Sequence, residues 1–185
     1  KILSLGYDIS KSRVNELKKK IDKNLEINKK DFEKVDTKNI FTNSTKNLKD
    51  CNIYIITVPT PVNKLLKPNL SYIKQALNIV AKYIKKNDII VLESTVYPGL
   101  TEGLCKEYIE KKTKLKYNKD YFCGYSPERV NPGDKKNNLR NLTKIVSGSN
   151  KLTTFILSKL YKLICKRIHV AESIAVAESA KIIEN

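Results

Sequence analysis

Polar residues that could bind a ligand or move a proton follow the short apolar runs of this sequence. The candidate positions are Asp8, Pro59-Thr60-Pro61, Ser94-Thr95 and Pro127-Glu128, and each stands where an apolar, strand-like run ends. In an open parallel sheet, ligands bind outside the carboxyl ends of the strands. The coincidence of unusual residues with strand ends therefore predicts a binding site at one edge of a sheet.

Asp8 has the position of a ribose acceptor. An acidic residue at the end of the second strand of a dinucleotide-binding unit accepts hydrogen bonds from the adenosine ribose, and its charge favours NAD over NADP. An equally good interpretation is an aspartate that caps the next helix. No Gly-x-Gly-x-x-Gly motif occurs in the chain. If Asp8 is the ribose acceptor, we expect the glycine-rich turn and its strand to precede Lys1.

Hydroxyl groups follow two of the other strands. Pro59 and Pro61 fix the backbone around Thr60 and leave its hydroxyl available, although a merely rigid loop explains the prolines equally well. Ser94 and Thr95 precede a helix predicted to start near Thr101, where an anion or an alkoxide is favoured. Capping by Thr101 explains the helix start but not the two hydroxyls.

A predicted helix near the end of the chain presents Glu178, Lys181 and Asn185 at spacings of three and four residues, and hence near one face. A lysine and an asparagine so placed can bracket a substrate oxygen, one neutralising charge and the other orienting the group. A solvated Glu-Lys pair is the simpler interpretation of the same pattern.

Composition argues against several other classes of protein. The net charge is +17, but only four of the 36 basic residues are arginine, whereas nucleic-acid sites favour arginine, so we expect no nucleic-acid partner. The four cysteines form no Cys-x-x-Cys pair and there is one histidine, so we expect no metal site. No apolar run approaches ~20 residues, so we expect no membrane insertion and a cytoplasmic location.

The positions above require alternating strands and helices. Apolar periodicity predicts strands at 2–7, 40–42, 52–58, 89–92, 121–125, 144–147 and 168–170. It predicts helices at 11–21, 71–84, 101–111 and 152–164, and one from about 172 to the end. This alternation predicts an α/β fold with a doubly wound parallel sheet.

Three ordered segments carry a resemblance to a known family. The segments are Glu93–Gly99 (ESTVYPG), Gly124–Asp134 (GYSPERVNPGD) and Val146–Ser149 (VSGS). Together they resemble the UDP-glucose/GDP-mannose dehydrogenases, most closely the UDP-N-acetylhexosamine 6-dehydrogenases of surface-polysaccharide synthesis. The similarity covers essentially the whole chain.

The resemblance implies a Rossmann-like sheet that lacks its first strand, followed by the start of a central dimerisation helix. Residues 1–170 would form a partial NAD-binding domain and residues 171–185 the start of the central helical domain. We therefore expect NAD as cofactor, a UDP-sugar as substrate and a homodimer for the full-length protein.

The resemblance also implies roles for individual residues. Cofactor-binding positions would be Asp8, Arg13, Val58, Pro59, Thr60 and Thr95, and catalytic positions Thr95, Glu128, Lys181 and Asn185. The family oxidises the 6-hydroxyl of a UDP-sugar to a uronic acid through a cysteine-bound intermediate. That cysteine would lie beyond Asn185, so we expect this chain alone to be inactive. Where some relatives carry a second glutamate, this sequence has Pro132, which leaves the hydrolytic base unassigned.

Two alternatives remain open at this point. One is a non-catalytic, truncated homologue that only binds or dimerises. The other is an NAD-dependent dehydrogenase of the wider hydroxyacid type, which also carries a Lys-x-x-x-Asn helix.

Overall fold

The computed structural model describes residues 2–23, 29–35, 37–62, 67–128 and 141–184. They belong to two compact units, Lys1–Cys51 and Asn52–Asn185.

The first unit is built around two short parallel strands. Its elements are β1 (Gly6–Tyr7), α1 (Lys11–Lys18), α2 (Lys29–Glu33), α3 (Thr37–Ile40), β2 (Phe41–Thr42) and a 3₁₀ helix at Thr45–Asp50. β1 pairs with β2 in parallel, with Gly6 opposite Phe41. The Ser10 hydroxyl caps α1 by accepting the Arg13 N–H at 3.2 Å, as the serine before the helix predicts.

The first two predicted elements are shorter than expected. Only Gly6–Tyr7 of the predicted strand at 2–7 pairs with a neighbour in the described residues. The predicted helix at 11–21 ends at Lys18, because Lys20 adopts a left-handed backbone with φ of 60°. Ile21, expected on the apolar face of that helix, lies beyond it and is exposed.

The second unit contains a five-stranded sheet. Its strands are β3 (Ile53–Ile56), β4 (Ile89–Leu92), β5 (Phe122–Tyr125), β6 (Thr143–Gly148) and β7 (Arg167–Val170), and they stand side by side in that order. β3, β4 and β5 are parallel, which places their carboxyl ends along one edge.

Four helices accompany this sheet. They are α4 (Ser71–Val80), α5 (Leu100–Cys105), α6 (Lys151–Tyr161) and α7 (Ile174–Glu184), and a π-helical turn at Lys106–Glu110 continues α5. α4 buries Ile73, Leu77 and Val80, the face that its periodicity predicts. α5 begins one residue earlier than predicted, with Gly99 at its N-cap, and α7 begins two residues later.

Strand β4 is covered on both faces. Ile89 and Val91 pack in one cluster with Leu157 and Tyr161 of α6. Ile90 and Leu92 point the other way, because side chains alternate along a strand, and they are fully buried as well. The predicted Rossmann-like α/β class is confirmed.

The direction of β6 departs from the predicted parallel sheet. β6 runs antiparallel to β5, with Gly148 opposite Gly124 and Ser147 opposite Tyr125, and β7 is parallel to β6. The amino end of β6 consequently lies beside the carboxyl end of β5. A parallel β6 would have put its first residues at the other edge of the sheet.

Candidate active site at the carboxyl edge of the sheet

The segments that follow β3 and β4 are tied together by side-chain hydrogen bonds. The Ser94 hydroxyl donates to the Val58 carbonyl at 2.5 Å. The Thr60 hydroxyl donates to the Thr95 carbonyl at 2.9 Å. The structure therefore brings together the two segments that the strand-end pattern singled out. Thr60 also acquires a local function, since its hydroxyl fixes the backbone of Thr95.

The segment after β5 joins the same edge. The backbone N–H of Ser126 donates to the Leu92 carbonyl at 3.1 Å, and that of Glu128 donates to the Glu93 carbonyl at 3.4 Å. The Tyr125 hydroxyl donates to the Ser94 carbonyl at 3.3 Å. Glu128 thus lies beside the chain that leads from β4 to Thr95, and its side chain is 49% exposed.

A buried cation lies next to these carboxyl ends. The ammonium group of Lys144 is 3.5 Å from a Glu93 carboxylate oxygen and 4.0 Å from one of Glu128. It donates to the Pro127 carbonyl at 3.1 Å and lies 5.3 Å from the centre of the Tyr161 ring. The Tyr161 hydroxyl in turn donates to Glu93. We call Lys144, Glu93, Glu128 and Tyr161 the Lys144 cluster.

Sequence reasoning missed the Lys144 cluster, although one signal was present. Lys144 lies two residues before Val146 in a strand, so both side chains point to the face that packs on α6. A lysine in register with a buried valine is unusual unless a partner meets it. Burial raises the pKa of Tyr161, and the neighbouring Glu93 raises it further, so this hydroxyl remains a donor.

Glu178 joins α7 to the start of α5. Its two carboxylate oxygens accept the Gly99 N–H at 2.5 Å, the Thr101 N–H at 2.9 Å and the Thr101 hydroxyl at 2.6 Å. Free N–H groups at a helix start favour a negative charge. Burial raises the pKa of the Glu178 carboxyl, and the hydrogen bonds from Thr101 and Gly99 oppose that shift.

The structure corrects two interpretations of these residues. Glu178 is completely buried and does not form a solvated pair on the helix surface. Thr101 is not the cap of α5 but its second residue, where it donates to Glu178. The capping carboxylate comes from 77 positions later in the chain, so no local pattern could reveal it. Lys181, one turn beyond Glu178, is partly buried. Asn185 lies outside the described residues.

Asp8 and Arg13 belong to the first unit. The Asp8 N–H continues the pairing of β1 by donating to the Thr42 carbonyl at 3.1 Å. The exposed Asp8 carboxylate accepts the Ser10 N–H at 2.7 Å, as a residue before a helix can do. Arg13 donates to the Asp22 carboxylate at 2.8 Å through one terminal nitrogen. Its other terminal nitrogen is buried and has no hydrogen-bond partner within the described residues.

These groups fit the hydrogen-bonding needs of a dinucleotide. Asp8 provides an exposed carboxylate that can accept from ribose hydroxyls. Arg13 provides a guanidinium group whose buried terminal nitrogen lies 3.8 Å from a Glu16 carboxylate oxygen and makes no hydrogen bond within the described residues. Within the second unit, taken by itself, the Val58–Thr60 and Thr95 segments lie at the carboxyl edge of its sheet.

Other kinds of site were sought in the same residues. No group of three or more His, Cys, Asp or Glu side chains could hold a metal ion in the part of the chain that the structure describes. An open cavity of about 700 Å³ lies between the start of α6 and the segment joining β7 to α7, and no predicted site residue lines it. Within the described ranges, no helix has the length and apolar character needed to cross a membrane.

Comparison with known proteins agrees with the fold. Residues 3–165 match the sequence model of the NAD-binding domain of the UDP-glucose/GDP-mannose dehydrogenase family. The chain belongs to this family, and NAD is the cofactor of the matched domain.

Several named dehydrogenases are similar to the chain. The chain is 41% identical, over 98% of its length, to a UDP-N-acetyl-D-glucosamine 6-dehydrogenase of Pseudomonas aeruginosa. It is 42% identical, again over 98%, to the enzyme of that name from Salmonella typhi. Among solved structures, a UDP-D-ManNAc dehydrogenase from Pyrococcus horikoshii has a TM-score of 0.87 at 28% identity and covers 97% of the chain. The chain spans 43% of the length of each of these three proteins.

Proposed function

We propose that the complete gene product oxidises the 6-hydroxyl of a UDP-sugar, specifically a UDP-N-acetylhexosamine, to a uronic acid with NAD. The observation that carries this proposal is the meeting of Thr60, Thr95 and Glu128 at the carboxyl edge of one sheet. The names of two similar curated relatives suggest the sugar.

The residues of this chain suit a reaction in which a hydroxyl group loses a proton. Glu128 offers a carboxylate that is half exposed and held beside the segment after β4, so it can accept a proton from a substrate hydroxyl or from water. The Thr95 hydroxyl can orient the reacting carbon or that water. When bound, NAD would supply the hydride acceptor, and oxidation of an alcohol to a carboxylate would need two NAD molecules in turn.

α7 would complete the oxygen-binding part of the site. Glu178 holds this helix against the start of α5, and Lys181 follows one turn later near the same face. We propose that Lys181 neutralises negative charge on a substrate oxygen and that Asn185 orients it.

Each unit offers residues for the cofactor. We propose Asp8 and Arg13 for the adenosine ribose, because Asp8 offers an exposed acceptor and Arg13 a terminal nitrogen that is paired with Glu16 but makes no hydrogen bond within the described residues. Val58, Pro59, Thr60 and Thr95 would contact the rest of the dinucleotide. Three other statements remain predictions. They are the division into an NAD-binding domain at 1–170 and the start of a central helical domain at 171–185, a homodimer, and a cytoplasmic location.

Turnover of purified complete gene product tests the proposal. NADH is followed by absorbance while NAD is supplied with UDP-N-acetylglucosamine, UDP-N-acetylgalactosamine, UDP-N-acetylmannosamine, UDP-glucose or a panel of 3-hydroxyacids. We expect NADH and the corresponding uronic acid with a UDP-N-acetylhexosamine. Turnover of a 3-hydroxyacid alone would move the protein to the hydroxyacid class. NAD binding without any turnover would identify a non-catalytic homologue.

A further inference from the structure

Burial of the Lys144 ammonium group costs free energy unless charged or polar partners compensate for its lost hydration. The side chain is 4% exposed and points to the face of β6 that packs on α6, where Val146 and Leu157 are fully buried. An isolated ammonium group at such a place loses its hydration. An apolar residue of similar volume often packs there at no loss of stability. The presence of a lysine is therefore explained by what its ammonium group contacts.

The two carboxylates near Lys144 differ in exposure. Glu93 is 11% exposed, follows directly after β4 and also accepts the Tyr161 hydroxyl, so it is held from two sides. Glu128 is 49% exposed at the carboxyl edge of the sheet. Glu93 therefore anchors the ammonium group, while Glu128 is the partner that can still reach a ligand.

Lys144 also holds the backbone that leads to Glu128. Its donation to the Pro127 carbonyl and its approach to the Glu128 carboxylate fix two consecutive residues at once. Within the described residues, the titratable groups around the cation are Glu93 after β4, Glu128 after β5, Tyr161 of α6 and the buried thiol of Cys165 after α6. Glu128 is the only one of these four whose side chain is half exposed.

We propose that Lys144 is a positioning residue that holds Glu128 in its working place at the carboxyl edge of the sheet. The antiparallel direction of β6 makes this possible, because it brings the amino end of that strand beside the residues after β5. The inference rests on the proposed function only for the role of Glu128; the position of Glu128 is tested separately.

The first test is amide hydrogen exchange in the complete gene product. The Glu128 N–H donates to the Glu93 carbonyl, so its exchange reports on the segment that Lys144 holds. We expect Lys144→Met to speed exchange of this amide by about tenfold or more, with little change in Ile145–Gly148. Lys144→Arg should restore most of the protection. Lys162→Met removes the same charge from an exposed position and should change nothing.

A merely structural lysine would give a different exchange pattern. The proposal is overturned if Lys144→Met speeds exchange throughout β6 and α6. It is also overturned if the exchange rate of the Glu128 amide does not change. If Lys144→Met does not fold, Lys144→Gln replaces it, because it stays polar but removes the charge that attracts Glu128, and faster exchange of the Glu128 amide is again expected.

The second test is a double-mutant cycle on the turnover rate. We expect Lys144→Met to lower kcat by about 10- to 100-fold and to leave the KM for NAD within about twofold, because displacement of a catalytic group acts on the chemical step. Combination with Glu128→Gln should lower kcat no further than Glu128→Gln alone. If the decreases in kcat caused by the two single substitutions multiply in the double variant, Lys144 does not act through Glu128 and the positioning role is refuted. If the unchanged protein oxidises no UDP-sugar, the proposed function fails, and the exchange experiment still decides the role of Lys144.

Discussion

Removal of the Glu178 carboxylate tests whether the link between α7 and α5 stabilises the fold. Glu178→Ala leaves the N–H groups of Gly99 and Thr101 and the Thr101 hydroxyl without their acceptor. These donors lie at a helix start, where α5 has no other side-chain cap. The turn that carries Thr95 precedes them directly, so a local change there also affects the candidate site.

The expected loss follows from the number and kind of bonds. A hydrogen bond to a charged acceptor contributes about 1.5–3 kcal/mol, and three are broken. The variant has no carboxylate to bury, and the absence of that burial cost offsets several kcal/mol of the loss. The net destabilisation by Glu178→Ala should be about 3–5 kcal/mol, because the donors at the start of α5 lose their acceptor and each unsatisfied buried donor costs about 1–3 kcal/mol.

Urea unfolding followed by far-ultraviolet circular dichroism measures this loss. Thr101→Val removes only the hydroxyl donor and should cost about 1 kcal/mol. Glu107→Ala, on an exposed position of the following turn, should stay within about 0.5 kcal/mol of the unchanged protein. A loss below about 1 kcal/mol for Glu178→Ala would show that water replaces the carboxylate and that the link to α7 contributes little.

Three further predictions concern titration. Burial raises the pKa of Glu178 above its ordinary value of 4.5, so the folded state binds this proton more tightly than the unfolded state does. The unfolding free energy of the unchanged protein, relative to that of Glu178→Gln, should therefore fall as the pH rises above about 4.5. The Lys116 N–H and nearby lysines lower the pKa of Asp120, so stability relative to Asp120→Asn should be lost as the pH falls below about 4, in the same urea assay. Burial raises the pKa of four of the ten tyrosines, so their ultraviolet signal should titrate only when alkali unfolds the protein; a full change near pH 10 in folded protein would contradict this. Those tyrosines are Tyr117, Tyr121, Tyr125 and Tyr161.

Strands and amphipathic helices were predictable because their signals are local. The β-branched run at Ile53–Ile56 and the apolar run at Ile89–Leu92 both form strands. The three- and four-residue spacing of Ile73, Leu77 and Val80 marks the buried face of α4. The polar groups after β3, β4 and β5 could be placed at one edge from the same reasoning, since parallel strands end together.

Element ends were less predictable because they depend on backbone conformation at single residues. α1 ends before the left-handed Lys20, although the apolar pattern continues to Ile21. α5 starts at Leu100 because Gly99, with φ of 86°, turns the chain there. Neither position interrupts the apolar periodicity.

The sequence by itself determined the class of fold, the family and the residues that come to the ends of the strands. Only the tertiary structure decided that β6 is antiparallel, that Lys144 lies between two carboxylates and that Glu178 caps α5. The physical reason is the range of the interactions. Periodicity and turn residues act over a few positions, whereas a buried charge is tolerated only where distant segments meet it with opposite charge or hydrogen bonds.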